Sequence, residues 1–193
     1  MGENQKNDRR RGMAQADARR EARRAARETV MSLLFETEYH EGEAPEAIYL
    51  RAIEAREIDT SDRYIRKTYR GIMEHLAEVD ALIERHASGW RTDRLSRVSR
   101  AVLRLGTYEL VFDDKIPAPI AINEAVELSK KFDDPKARAF INGVLNAIKN
   151  EIAENGGRLP DEVSAMAAAT EPATDAVEAV TAESETTTDH DAE

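Results

Sequence analysis

The 193-residue sequence contains no cysteine, which excludes a disulfide framework, a thiolate metal site and a cysteine nucleophile. It also lacks any apolar run near the roughly 20 residues that a membrane-spanning helix needs, so we expect a soluble protein. The first thirty residues hold no apolar segment like that of a secretory signal, and acids interrupt their arginines, unlike a mitochondrial presequence. The cytoplasm is therefore the expected location.

The sequence is equally poor in the residue patterns that carry catalysis. Its nine glycines are scattered, and no Gly-Lys-Ser or Gly-Lys-Thr occurs, so a phosphate-binding loop is excluded. The four histidines lack partners at the spacing of metal ligands. Acid pairs at 113–114 and 133–134 fall at expected helix ends, where caps and turns explain them without a catalytic role. We expect a binding protein with no catalytic residue, no metal and no cofactor.

Charge is unevenly distributed along a chain whose net charge is −10. Residues 1–27 contain nine basic and four acidic side chains, whereas residues 158–193 contain ten acidic side chains and a single arginine. This pattern indicates a polyanion-binding head and an acidic tail. Because neither end can bury much apolar surface, we expect residues 1–15 to form a disordered basic leader and residues 158–193 a disordered acidic tail. The tail either solubilises the chain or competes with nucleic acid for the head.

Between these ends the apolar side chains recur at helical spacing, and no window shows the alternation of a half-buried strand. Proline and glycine at expected breaks divide residues 16–157 into six or seven helices. One helix is predicted to follow the caps at 59–61 and to continue past residue 80, and Gly156 and Gly157 are predicted to stop the last one. The final three helices are more apolar than the first three. The predicted fold is therefore all-α, a compact bundle of six to seven helices in two sub-bundles, forming one domain.

The first predicted helix carries four arginines at i, i+3, i+4 and i+7, namely Arg20, Arg23, Arg24 and Arg27. They span an arc of about 100°, which the helical wheel places beside the apolar stripe. Glu28 pairs at best with Arg24 and leaves most of the ridge without a neutralising acid four residues on, so the ridge favours a polyanion over a solvated face. Arginine side chains pair with phosphates through two nitrogens and also stack on bases.

Two aromatic residues have basic neighbours and are candidates for stacking on unpaired bases. Phe35 lies nearer to the arginines than to the apolar stripe on the helical wheel. Phe140 follows Lys136 and Arg138 closely in the sequence. Each phenylalanine is either a core residue or a stacking surface, and the pattern leaves both interpretations open.

Six blocks of this sequence are informative when they are taken together. They are Arg-Ala-Ala-Arg-Glu at 24–28, Leu-Leu-Phe at 33–35, Leu-Ser-Arg-Val at 95–98, Ala-Val-Leu-Arg-Leu-Gly-Thr-Tyr-Glu-Leu at 101–110, Ile-Asn-Glu-Ala-Val-Glu-Leu-Ser-Lys at 122–130 and Phe-Ile-Asn-Gly-Val-Leu-Asn at 140–146. In these blocks the sequence resembles the NusB family of bacterial transcription antitermination factors. The similarity covers about residues 20–153 in the family's order and spacing, without a large insertion.

This resemblance implies the NusB fold of two three-helix sub-bundles and an RNA-binding function without catalysis. It implies binding of single-stranded boxA RNA in ribosomal RNA operon transcripts together with NusE, a protein of the small ribosomal subunit. That assembly joins RNA polymerase and other Nus factors and suppresses premature, largely Rho-dependent termination. By position the resemblance assigns RNA contacts to Arg23, Arg24, Arg27, Phe35 and Phe140. The basic pattern adds Arg20, Arg138 and Lys136, the last at a position where some family members have an acid.

Other expectations concern partners and rival functions. We place the NusE surface around Arg94 and Arg97, where exposed charge adjoins a turn. The alternative function is the RNA-binding helical module of a ribosomal RNA methyltransferase-like protein that lacks the catalytic domain. A homodimer formed through the first helix is a further possibility, and it would cover the arginines.

Overall fold

The computed structural model describes residues 2–40, 42–56, 63–87 and 95–170. Within these ranges the chain forms eight helices and no strand, which confirms the predicted all-α class. None of the helices described is both long enough and apolar enough to cross a membrane. The helices are α1 (Gly2–Thr37), α2 (Pro45–Arg56), α3 (Arg63–Glu74), α4 (Leu76–His86), α5 (Arg97–Val111), α6 (Ala118–Phe132), α7 (Ala137–Glu154) and α8 (Asp161–Thr170).

Local sequence signals explain several of these boundaries. Helix α5 begins after Ser96, whose Oγ accepts a hydrogen bond from the Ser99 N–H at 2.9 Å, as an N-cap does. Helix α6 follows Pro117, with a second proline in its first turn. Helix α7 ends before Gly156 and Gly157, whose φ values of 68° and 81° fall in the left-handed region that favours glycine. The stop predicted at these two glycines is confirmed.

The helices pack as two groups around a shared core. Helices α1, α2 and α3 contact one another, and α4 to α7 form the second group. Helix α5 packs against α1 and α3 as well as against α4, α6 and α7, so it lies at the centre of the molecule. The side chains buried between the groups form one continuous apolar cluster. Helix α5 therefore fixes how the surface of α1 sits against α6.

Seven helices, α1 to α7, account for residues 16–157 where the structure describes them, within the predicted six to seven, and α8 lies beyond them. The segment predicted as one helix after residue 62 divides at His75 into α3 and α4. The His75 ring stacks on Phe112, with ring centroids 4.2 Å apart. The eighth helix, α8, lies in a segment that the prediction assigned to a disordered tail.

Both predicted tail boundaries are wrong where the structure describes them. Helix α1 begins at Gly2, so the helix that was expected from residue 16 also includes residues 2–15. Helix α8 packs on α4 because Val163 is fully buried and Arg85 Nη1 lies 2.5 Å from Glu162 Oε2. Pro160 is also buried and Leu159 packs against the core just before α8, contacts that composition alone does not reveal. Residues 171–193 lie outside the described residues.

Candidate nucleic-acid interface

Three ion pairs join the basic half of α1 to α6, one of them between Arg27 Nη1 and Glu124 Oε2 at 3.7 Å. Arg24 Nε lies 3.3 Å from Glu124 Oε2, and Lys131 Nζ lies 2.7 Å from Glu28 Oε1. The sequence predicted a partner for Arg24 within the first helix itself, namely Glu28. The carboxylate of Glu124 comes from α6 instead, so part of the arginine charge is neutralised across the seam between α1 and α6.

Arg27 lies at the buried end of the arginine series. It is only 6% exposed, and its Nε donates to Glu109 Oε1 at 2.9 Å. Tyr64 Oη donates to the same carboxylate, and the Arg27 guanidinium lies over the Tyr64 ring at 5.8 Å. The arginine arc therefore overlaps the core-facing side of α1 rather than lying beside it. Where the bundle covers that side, the arginine is buried.

Opposing electrostatic effects shape the titration of this cluster. Burial raises the pKa of Glu109, and its effect exceeds the lowering by Arg27 and Tyr64. Burial also disfavours the charged form of Arg27, but attraction to Glu109 outweighs this and raises the arginine pKa. Because both partners hydrogen-bond within the bundle, the Arg27–Glu109 pair joins α1 to α5 and positions the exposed arginines that precede it.

The other three arginines of the series remain open to solvent. The side chain of Arg20 is 79% exposed, and its contact with Asp17 is loose, with a separation of 3.7 Å. Arg23 is exposed, and no carboxylate pairs with it among the residues that the structure describes. Arg24 is also exposed despite its contact with Glu124. These three guanidiniums form a cationic surface that can accept phosphates.

An aromatic groove of about 530 Å³ lies further along α1, near the carboxyl end of α6. Phe35 packs against the core and also lines this groove, so its role in stacking on bases stays a prediction. Tyr39 and Phe132 line it as well and are 56% and 40% exposed. The complete lining comprises Met31, Ser32, Phe35, Glu36, Tyr39, His40, Val98 and Phe132.

Two cations stand against the exposed rings of this aromatic groove. Arg97 Cζ lies 4.2 Å from the centroid of the Tyr39 ring, and Lys131 Nζ lies 5.0 Å from that of Phe132. An aromatic face with an adjacent cation suits a base and its phosphate together. The groove therefore has the chemistry to hold an unpaired nucleotide.

The aromatic groove also contains residues that the sequence predictions missed. Tyr39 stands four residues after Phe35, a spacing that places the two side chains on one helix face. Their ring centroids are 5.2 Å apart. Phe132 directly follows Lys130 and Lys131, an aromatic residue with basic neighbours like those that singled out Phe140. The same criterion applied to α6 would have found it.

The turn between α6 and α7 and the start of α7 hold three more of the residues predicted to bind RNA, at the carboxyl end of α6. Asp133 accepts hydrogen bonds from Ser96 and Ser99, which ties this turn to the start of α5. Lys136 and Arg138 are exposed beyond it. Phe140 is half-buried and packs against the core, so it presents only part of its ring to solvent. The basic residues of this turn thus lie near the end of the aromatic groove.

The surface predicted for a protein partner is described only in part. Arg94 lies outside the described residues. Arg97 stands at the edge of the aromatic groove, where its Nε is also 3.8 Å from Glu38 Oε2. Its assignment to a protein partner stays a prediction. In the described portion of the chain, no group of three or more histidine, aspartate and glutamate side chains could hold a metal ion.

Comparisons with known proteins identify relatives of most of the helical region. The model of the NusB family matches residues 20–150. A protein named transcription antitermination protein NusB from Ruminiclostridium cellulolyticum is 40% identical over 144 residues, which cover 74% of this chain and 94% of the relative. The protein of the same name from Bacillus subtilis is 37% identical over 133 residues, covering 69% and 98%.

Solved structures agree with these relatives. Thermotoga maritima NusB matches with a TM-score of 0.61 and 35% identity, covering 74% of this chain and 96% of that one. A crystal structure of antitermination factors NusB and NusE in complex with double-stranded RNA matches with a TM-score of 0.60 and 35% identity, covering 67% and 96%. From its family match, its curated relatives and its fold together, we conclude that the chain belongs to the NusB family.

Proposed function

We propose that this protein acts in transcription antitermination by binding single-stranded boxA RNA of ribosomal RNA operon transcripts together with NusE. The bound assembly joins RNA polymerase and other Nus factors and suppresses premature, Rho-dependent termination. The aromatic groove, with Arg97 and Lys131 beside its exposed rings, is the observation that carries this proposal. The protein contributes binding and positioning in the cytoplasm, with no catalytic step and no cofactor.

The chemistry of the groove favours an unpaired strand over a duplex. Exposed faces of Tyr39 and Phe132 are suited to stack on bases, and each stacked base contributes roughly 1–3 kcal/mol. In an A-form duplex the base faces are covered by their neighbours, so a duplex offers these rings nothing to stack on. Arg20, Arg23 and Arg24 then attract the phosphates of the strand as it leaves the groove.

Partners follow from the relatives rather than from a surface of this chain. The NusB of the solved complex with NusE and double-stranded RNA is 35% identical to this chain, and the match covers 96% of that NusB and 67% of this chain. That similarity supports the same pairing here. A homodimer formed through α1 would cover Arg20 and Arg23, so self-association through that helix would compete with RNA.

Replacing Phe132 by alanine tests the proposed stacking. Removal of one stacked ring costs roughly 1–3 kcal/mol, so we expect Phe132→Ala to weaken binding of a boxA oligonucleotide at least about fivefold. Phe132→Tyr keeps the ring and should retain the affinity. Fluorescence anisotropy with labelled RNA, in the presence and absence of NusE, measures both variants.

Leu50→Ala is the matched control, because Leu50 is another exposed large apolar residue and lies on α2, away from the groove lining. We expect it to bind RNA as the unmodified protein does. Equal affinities for Phe132→Ala and Leu50→Ala would contradict the role of the groove. A scrambled strand bound as tightly as boxA, even with NusE present, would contradict the proposed function itself.

A further inference from the structure

The amino-terminal part of α1 extends beyond the segment that the NusB family model matches. That match begins at residue 20, whereas α1 begins at Gly2. We call residues 10–19 the arm. Every arm side chain is exposed, and its largest apolar residue, Met13, is 67% exposed. Because no arm side chain is buried, packing onto the bundle does not account for the arm.

The charge of the arm is unbalanced. Arg10, Arg11 and Arg19 are opposed by Asp17 alone, and Asp17 lies nearest to Arg20, outside the arm. Among the described side chains, no carboxylate pairs with these three arginines. Arg19 and Arg23 are like charges four residues apart, which destabilises a helix, and Gly12 costs about 1 kcal/mol relative to alanine. A polyanionic partner would offset both effects.

The arm continues the line of the candidate interface. With a rise of about 1.5 Å per residue, Arg20 lies roughly 22 Å along α1 from Phe35, and Arg10 roughly 15 Å further. A strand that leaves the aromatic groove and passes over Arg24 and Arg20 therefore meets the arm next. A second copy of the chain would bring like charges together at this surface, so it is the poorer occupant.

We infer that the arm binds the phosphate backbone of the RNA that flanks the segment held in the groove. This inference rests on the proposed function and extends the RNA footprint on one side only, because the arm leaves the bundle in one direction. Contacts to phosphates carry no base preference, so the arm adds affinity without adding sequence choice.

The test uses the full chain with Arg10, Arg11 and Arg19 all replaced by glutamine, which preserves helix propensity. The control triple variant replaces Arg63, Lys115 and Arg158, three exposed basic residues outside α1, by glutamine and removes the same charge. Each protein is titrated with a boxA strand of about 12 nucleotides and with strands extended to about 24 nucleotides on the 5′ or the 3′ side.

We expect the unmodified protein and the control to bind one of the two extended strands more tightly than the short strand. The arm variant should bind the short strand normally and lose this gain. Each phosphate contact to a single strand contributes about 0.7 to the salt slope, so the slope for that extended strand should fall by about 2. Between about 50 and 200 mM salt, the unmodified protein should therefore lose roughly 20-fold more affinity than the arm variant.

Three results would overturn the inference about the arm while leaving the groove intact. They are equal gains from both extensions, no gain from either, or equal losses in the arm and control variants. Tighter binding by the arm variant would also overturn it, since that result would mean that the acidic end of the chain occupies the arm. Failure of the unmodified protein to bind the short strand would instead contradict the proposed function.

Discussion

At the scale of single residues, Arg27 belongs to a cationic series but stabilises the fold through a buried ion pair. Its three neighbours in the series are exposed, whereas its guanidinium is held between Glu109 and the Tyr64 ring. Both members of the Arg27–Glu109 pair are buried, so removing either leaves an uncompensated charge inside the bundle. Arg27 therefore serves the interface mainly by fixing α1 against α5.

Substitution of Arg27 separates its structural role from RNA binding. Because breaking a buried pair costs about 3–5 kcal/mol, we expect Arg27→Ala to lower the free energy of unfolding by about that amount in urea denaturation. Arg23→Ala is the matched control, since it removes the same side chain from an exposed site of the same helix. Its free energy of unfolding should change by less than about 0.5 kcal/mol, while its RNA binding should weaken.

A double-mutant cycle with Glu109→Ala completes this test. We expect the double variant to be less destabilised than the sum of the two single variants, because it leaves no unpaired charge. Additive losses would show that Arg27 and Glu109 are not coupled. They would then leave Arg27 available as a direct RNA contact, as the sequence comparison predicts.

Tyr64, in the same cluster, makes the free energy of unfolding depend on pH in alkaline solution. Burial and the nearby Glu109 carboxylate raise the pKa of Tyr64 above its ordinary value. The unfolded chain releases this proton near pH 10 while the folded chain retains it, so the free energy of unfolding falls as pH rises above about 10. Burial also raises the pKa values of Tyr69 and Tyr108, which add to the fall.

The variant Tyr64→Phe removes one of these titrations. Above pH 10 we expect its free energy of unfolding to fall less steeply than that of the unmodified protein, by a difference approaching about 1.4 kcal/mol per pH unit. Urea denaturation at several pH values measures this slope, which is independent of the hydrogen bond that the variant loses at neutral pH. Parallel profiles would contradict the assignment to Tyr64.

At the scale of elements, close approach of α3 to α5 fixes the junction between the two helix groups. A Cβ atom added at Gly71 on α3 would lie 2.0 Å from Tyr108 Oη on α5. Glycine is needed here because it has no Cβ atom and therefore leaves room for Tyr108. Its conformational freedom plays no part, since residue 71 is in a regular helix. Since Glu109 of α5 also pairs with Arg27 of α1, this junction controls the placement of α1 at the interface.

We expect Gly71→Ala to destabilise the protein by about 1–3 kcal/mol, as overpacking does in a closely packed core. Gly143→Ala is the matched control, because a Cβ atom at this exposed position of α7 would meet nothing within 4 Å. Alanine has the higher helix propensity, so that control should be as stable as the unmodified protein or more stable, by up to about 1 kcal/mol. Urea denaturation of both variants measures the difference, and equal stability would contradict the close approach.

At the scale of the whole molecule, local charge rather than net charge decides what the protein attracts. The chain carries a net charge of −10, yet the exposed part of α1 and the end of α6 present arginine and lysine side chains. Screening limits the reach of distant charges to about 8–10 Å at physiological salt. A strand at the interface therefore responds to the nearby cations more than to the acidic residues elsewhere in the chain.

Much of this organisation was predictable from the sequence, since it depends on local pattern. Helical periodicity gave the all-α class, and the glycines at 156–157 gave the end of α7, because helix formation and termination are decided by nearby residues. The linked blocks gave the family. The division at His75 and the helix α8 were not predictable in this way, since they depend on contacts with Phe112 and α4.

By itself, the sequence determined that the chain is helical, that its first helix is cationic and that it belongs among NusB proteins. Only the tertiary structure decided which arginines face solvent, because a helical wheel gives the direction of Arg27 but not whether a neighbouring helix covers it. The tertiary structure also decided where the aromatic groove forms and which side chains line it. Phe35 and Phe132 lie far apart in the chain, and the packing of both α1 and α6 against α5 brings them together.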